Sequence, residues 1–206
     1  MKGIRLVAAS LVGWLCACAA PLGAYAPEPL VFHDCGAPFE CAELRVPLDH
    51  ERGVPGELTL AVLRARATKP DERIGVLFVN PGGPGLSAVD YLRAGASRYG
   101  VALRDRFDLI AFDTRGSGAS APLDCHASLD AYLAQSATPS TDAEWASAVA
   151  ASRALADECA AVHGAELAFM TTRDNAADMD TLRAALGEER ISFLGLSYGT
   201  ALGASY

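Results

Sequence analysis

The stretch Ile191–Thr200, ISFLGLSYGT, decides how the rest of the chain is read. A short apolar run, Ile191–Leu194, breaks into Gly195-Leu196-Ser197-Tyr198-Gly199. This is the G-x-S-x-G pattern of a nucleophile elbow, a strand turning sharply into a helix with a serine at the apex. The residue types follow from chemistry. A serine hydroxyl is a weak nucleophile until it is exposed to a base and held in place. A tight turn lifts its oxygen clear of the sheet, but it brings the residues two before and two after the serine close together. Both must therefore be small, and Gly195 and Gly199 are. The helix that follows directs free N–H groups and partial positive charge at the site. It places the N–H of Tyr198 to bind a developing oxyanion. The pentapeptide alone also fits a buried strand ending in a Gly-rich turn, so the residues upstream must decide.

Two more apolar runs stand upstream. Ile74–Val79, IGVLFV, reads as a strand buried on both faces of a parallel sheet. It ends in Asn80-Pro81-Gly82-Gly83-Pro84-Gly85, followed by a short helix at Ser87–Ala94. Phe107–Phe112, FDLIAF, is a second such strand, ending in Asp113-Thr114-Arg115-Gly116-Ser117-Gly118. Thr141–His163 is a long helix opened by a capping box of Thr141 and Glu144 and stopped by Gly164. Trp145, Val149, Ser152, Leu155, Cys159 and Val162 recur along it at helical spacing. Thr171 and Asp174 open another helix, with Met179, Leu182 and Leu186 on one face and Gly187 at its end. Glu43–Leu48 and Glu57–Arg66 read as an earlier pair of strands, with Pro47, Asp49 and the Gly53–Gly56 stretch marking the turn. Strands alternating with helices predict an α/β fold with a mostly parallel sheet and flanking helices.

Three loops that each end a strand of one parallel sheet converge on one edge, where such sheets bind ligands. The loop after Val79 is where a second oxyanion donor belongs. Glycine lets backbone N–H groups face a substrate with no Cβ in the way. Gly83 is the first candidate donor and Gly82 the second. Asp113 and Arg115 are candidates for bracing the loops; the competing reading is a turn held by a surface ion pair. A dinucleotide fold is the sharpest rival, because Gly83-Pro84-Gly85-Leu86-Ser87-Ala88 formally fits G-x-G-x-x-A. Pro84 removes an N–H that pyrophosphate would need, and Asp113 lies farther on than that fingerprint's roughly 20 residues. No cofactor is expected, and no cysteine spacing suggests a metal site. The chain's four histidines, His33, His50, His126 and His163, all precede Ser197 and carry no motif, so each reads as surface or structural.

Composition sets the outer bounds. Hydrophobic residues make up 51% and charged residues 20% of 206, enough for one sizeable core. The net charge of −8 argues against nucleic acid or an anionic membrane surface as partner. Residues 1–26 read as an export signal: Lys2 and Arg5 precede an apolar run, Leu6–Ala20, too short to span a bilayer comfortably. Leu15-Cys16-Ala17-Cys18 is similar to a bacterial lipobox, making Cys18 a lipidation candidate and a lipid anchor the one expected membrane attachment. Cleavage after Ala19 or Ala26 and an uncleaved anchor are the alternatives; all three export the protein. Beyond the leader remain Cys35, Cys41, Cys125 and Cys159, which allow three connectivities. Cys35–Cys41 with Cys125–Cys159 is favoured because each pair brackets a local segment; four free thiols is the alternative.

The combination is recognisable. NPGGPG, DTRGSG and TTRDNAADMDTLRAALG leading into ISFLGLSYGT, with CAELRVPLDH at Cys41–His50, together resemble the secreted α/β-hydrolase peptidases of the proline iminopeptidase and tripeptidyl aminopeptidase family. The resemblance runs from about Cys35 to Tyr206 and implies a serine exopeptidase acting on peptide N-termini without metal or cofactor. It carries over Ser197 as nucleophile and Gly83 with Tyr198 as oxyanion hole. One departure is large. In this fold the triad runs Ser, then Asp or Glu, then His, and none of the nine residues after Ser197 is Asp or His. The expectation is that residues 27–206 are the N-terminal part of a longer catalytic domain, inactive alone. Two other readings stay open: an esterase or lipase on the same fold, or a non-catalytic exported binding protein if 206 residues is the whole product.

Overall fold

The computed structural model describes Tyr25 and residues 27–51, 53–125 and 127–206. The expected leader with Cys18 lies outside the described residues, Tyr25 apart, as does His126. The strands are β1 (His33–Asp34), β2 (Phe39–Pro47), β3 (Glu57–Ala65), β4 (Gly75–Asn80), β5 (Phe107–Phe112) and β6 (Ser192–Gly195). The helices are α1 (Ala88–Gly95), α2 (Val101–Arg106), α3 (Leu129–Leu133), α4 (Asp142–His163), α5 (Thr172–Ala185) and α6 (Tyr198–Ser205). The sheet order is β1-β2-β3-β5-β4-β6. The first three strands run antiparallel to their neighbours, whereas β5, β4 and β6 are parallel and linked by helical crossovers. Asn80, Phe112 and Gly195 therefore end their strands at one edge.

Alternation in the strands builds a core on each face of the sheet. On one face Val76 and Phe78 of β4 meet Ile110 and Phe112 of β5, Leu60 and Val62 of β3, and Met179, Leu182 and Leu202 from α5 and α6. On the other, Leu77 and Val79 meet Leu109, Ala111, Leu63 and Ala65 under Ala88 and Leu92 of α1. Ser87 caps α1, its hydroxyl accepting from the Asp90 N–H at 3.0 Å. Met179 and Leu182 of α5 are fully buried, as their spacing predicts.

The sequence reading omitted β1, α2 and α3. None carries a periodic apolar stripe, and neither α2 nor α3 has a side-chain cap. It also began β2 at Glu43. The strand starts at Phe39 because Phe39–Ala42 pair across to Val62–Ala65, a partner that local pattern does not reveal. The long helix α4 forms with its capping box in place, yet none of its residues is buried, and Trp145 and Val162 are each 58% exposed. It is held instead through its contacts with the loop after β5. The Cys125–Cys159 disulfide joins the two. The Glu158 carboxylate accepts from the N–H groups of Ala127 and Ser128, and His163 Nε2 accepts from the Asp124 N–H. The second disulfide, Cys35–Cys41, closes the turn between β1 and β2.

Candidate active site

Ser197 sits where β6 has ended and α6 has not begun, with φ 50° and ψ −124°. Among the described residues only Ala121 shares a positive φ without being glycine. A residue with a side chain rarely adopts this conformation, and it persists only where the surroundings enforce it. The enforcement is visible. A Cβ on Gly195 would lie 2.4 Å from the Gly199 carbonyl oxygen, and one on Gly199 would lie 2.6 Å from that of Asn80. Strand and helix thus touch backbone to backbone beneath the serine, which is exposed at the apex. The Leu196 N–H donates to the Asn80 carbonyl at 2.9 Å, tying the turn to β4.

The loop after β4 lies directly against this turn. A Cβ on Gly82 would come 2.4 Å from the Leu196 carbonyl oxygen and 2.8 Å from the Tyr198 nitrogen. The Gly82 N–H is spent on Asn80 Oδ1 at 2.9 Å. The N–H groups of Gly83 and Tyr198 make no hydrogen bond among the described residues. Gly83 is exposed, with φ 110°. Two backbone donors are therefore unspent on the two loops that flank Ser197. The Tyr198 hydroxyl bonds Thr172 Oγ1 at the start of α5, fixing the first turn of α6 from the side.

Asp113 and Arg115 are both buried and do not pair with each other. Asp113 Oδ1 accepts from the Ser87 hydroxyl at 2.9 Å and the Val89 N–H at 3.1 Å, and Oδ2 from the Ala119 N–H at 3.0 Å. It clamps the segment after the Gly-rich loop to the end of β5. Gly118 makes room for it, since a Cβ there would fall 2.0 Å from Asp113 Oδ2. Arg115 uses all five of its donors. Two go to the Asp178 carboxylate at 2.6 and 2.8 Å, and three to the carbonyls of Leu48, Phe169 and Pro47. Its own N–H donates to Asn175 Oδ1. His50 Nε2 completes the group at 2.7 Å from Asp178 Oδ1. One buried ion pair thus joins the end of β2, the loop after β5 and α5.

None of the three described histidines reaches Ser197. His50 bonds Asp178, His163 bonds the Asp124 N–H, and His33 is exposed on β1. Sequence reasoning did not single out Asn175 or Asp178. A signal existed for both: they share a helix face with Leu182, and a polar residue on an apolar face needs a buried partner. No group of three metal-ligating side chains occurs among the described residues.

The comparisons with known proteins agree with the fold. A family model described as the α/β hydrolase fold matches residues 75–206. The chain belongs to the α/β-hydrolase fold family. Among curated members, a tripeptidyl aminopeptidase of Streptomyces coelicolor is 36% identical over 186 residues, covering 85% of this chain and 34% of that one. Serine protease Hip1 of Mycobacterium tuberculosis is 34% identical over 171 residues, covering 81% of this chain and 32% of its own length. Carboxylesterase B of the same organism is 39% identical over 150 residues, covering 70% and 28%. The chain thus spans about a third of the length of the curated relatives it matches. A probable hydrolytic enzyme of known structure from Pseudomonas aeruginosa covers 89% of this chain at 17% identity and a TM-score of 0.41, with the chain matching 38% of it. The α/β-hydrolase resemblance drawn from NPGGPG, DTRGSG and the serine turn is the one these relatives bear out.

Proposed function

We propose that this chain is the N-terminal part of an exported α/β-hydrolase serine peptidase that cleaves short pieces from free peptide N-termini. Ser197 attacks the scissile carbonyl, and the N–H groups of Tyr198 and Gly83 hold the oxyanion that forms. Gly82 serves by close approach rather than by donation, because its N–H already binds Asn80. The observation that carries the reading is the serine at φ 50° between two loops with unspent backbone donors. The base that takes the Ser197 proton, and the acid behind it, come from outside these residues, since no described histidine meets the serine. Relatives three times as long leave room for both. The substrate class rests on the relatives named as an aminopeptidase and a protease. Two disulfides suit an oxidising compartment, in keeping with export of residues 27–206 after a leader. Lipid attachment at Cys18 belongs to the same proposal, and mass spectrometry of the mature N-terminus tests it.

A second reading, ester hydrolysis at the same serine, is favoured by the likeness to carboxylesterase B. The full-length enzyme should be offered tripeptide arylamides with free and acetylated N-termini, and a nitrophenyl ester. Turnover of the free peptide alone supports the peptidase. Preference for the ester, or indifference to acetylation, supports the esterase. Ser197→Ala should abolish fluorophosphonate labelling in either case, and Gly83→Val should lower the rate by about 10²–10³, as loss of one oxyanion donor does. Rapid turnover by residues 27–206 alone would mean that the base lies within them.

A further inference from the structure

Away from the serine turn, at the opposite edge of the sheet, lies a cleft of about 270 Å³ that the proposed chemistry does not use. Its floor is Leu109 at the start of β5 and Ala65 at the end of β3, both buried and paired in register. One wall is Phe39, the first residue of β2, inside the loop closed by the Cys35–Cys41 disulfide. Arg66, Arg93 and Arg104 stand around the mouth, and no acidic residue lines it. This is unexpected in a chain of net charge −8.

The state of each arginine matters more than the number. Arg66 is matched by Glu40, with bonds of 2.8 and 3.0 Å. Arg93 lies over the Phe39 ring, 5.5 Å from its centroid, and donates to the Cys35 carbonyl at 3.1 Å, but it has no carboxylate partner among the described residues. Arg104 is half-buried and aimed by one bond, from Nε to the Tyr99 carbonyl at 3.1 Å. Its two terminal nitrogens make no hydrogen bond or ion pair among the described residues. The acids nearby are already engaged by other bases: Asp105 with Lys69 at 3.1 Å and Asp108 with Arg73 at 2.9 Å. Two guanidinium groups are thus held in place without counter-charge beside an apolar floor. A guanidinium fork fits a carboxylate bidentately, and an apolar floor rewards a hydrocarbon body.

We propose that this cleft binds a small organic acid, its carboxylate on the terminal nitrogens of Arg104 beside Arg93 and its apolar body on Leu109, Ala65 and Phe39. The site is independent of the hydrolase reading, because it is built at the start of β5 and the serine turn adjoins the strand ends. Octanoate is a suitable probe, with octanol as its uncharged counterpart, titrated calorimetrically into the oxidised protein. Octanoate should bind at one site, and octanol at least tenfold more weakly. Arg104→Ala should weaken octanoate by about 10- to 100-fold, the loss expected for a hydrogen-bonded charge. Ala94→Phe, which puts a ring into the cleft and leaves every arginine in place, should abolish binding while the circular dichroism stays native. Three results would overturn the proposal: no saturable octanoate binding at millimolar concentration, equal binding of octanol, or octanoate affinity unchanged in both variants.

Discussion

At the scale of single residues, the serine turn is a problem of available space. Gly195 and Gly199 are required because backbone from the neighbouring strand and helix already occupies the volume of a Cβ. Gly199→Ala would drive a methyl group to 2.6 Å from the Asn80 carbonyl oxygen, where no flexible side chain can yield. We expect a loss of about 1–3 kcal/mol or more, typical of overpacking, read as a lower urea midpoint. The same substitution should slow fluorophosphonate labelling of Ser197 in the full-length enzyme. Asp178 presents the converse problem. Its carboxylate and the Arg115 guanidinium are both fully buried. Asp178→Asn leaves that guanidinium uncompensated, and removing one partner of a buried pair costs about 3–5 kcal/mol. His50→Gln, which leaves the pair intact, should cost much less. Thermal melts of both variants check this; equal losses would mean that His50, not the ion pair, dominates the group.

At the scale of elements, the β2–β3 hairpin is clasped from outside by charge. Glu40 of β2 bridges Arg64 of β3 and Arg66 just beyond it. The hydrogen bond from Arg66, and then that from Arg64, hold the Glu40 carboxyl below its ordinary value of 4.5, against an opposing effect of burial. A carboxyl depressed on folding stabilises the fold at pH above its unfolded value. That contribution disappears as the pH falls through the folded value. Glu40→Gln should therefore lower the urea midpoint at pH 7, with the gap narrowing as the pH is taken below 4.5. A gap that stays constant with pH would assign the effect to shape rather than charge. The clasp is partly exposed, so the difference should be small.

At the scale of the whole molecule, two parts are held together by different means. The sheet with α1, α5 and α6 has a core on each face. The α3–α4 arm has no buried residue and is held by Cys125–Cys159 and the bonds around Glu158 and His163. The bridge closes a segment with sequence separation 34; such a loop is worth about 3–4 kcal/mol in the chain-entropy model. Replacing both cysteines by serine should release the arm while sparing the sheet. Hydrogen exchange should then show α4 amides losing protection and β4 and β5 amides keeping theirs. Uniform loss across both parts would show that the arm and the sheet unfold as one.

What the sequence determined by itself was local. The run IGVLFV had to be a strand buried on both faces, because nothing polar interrupts it, and FDLIAF reads the same way with Asp108 as its single polar residue. Thr141 with Glu144 had to open a helix, and the glycines at Gly195 and Gly199 had to mark a turn too tight for side chains. Those features, with the family they resemble, point to the α/β-hydrolase fold. Which distant elements meet lies beyond that reach. The apolar spacing of α4 announces a helix, but whether that face finds a core depends on elements far away in the chain, and here it finds none. The spacing of Asp178 says only that a carboxylate stands on an apolar helix face; its partner, Arg115, is 63 residues away. Gly82 and Gly83 are equivalent as letters. Their different surroundings, one N–H taken by Asn80 and the other unspent, arise when the loop after β4 folds onto the turn after β6. Hydrogen bonds between distant segments are settled by packing, which a single sequence does not display.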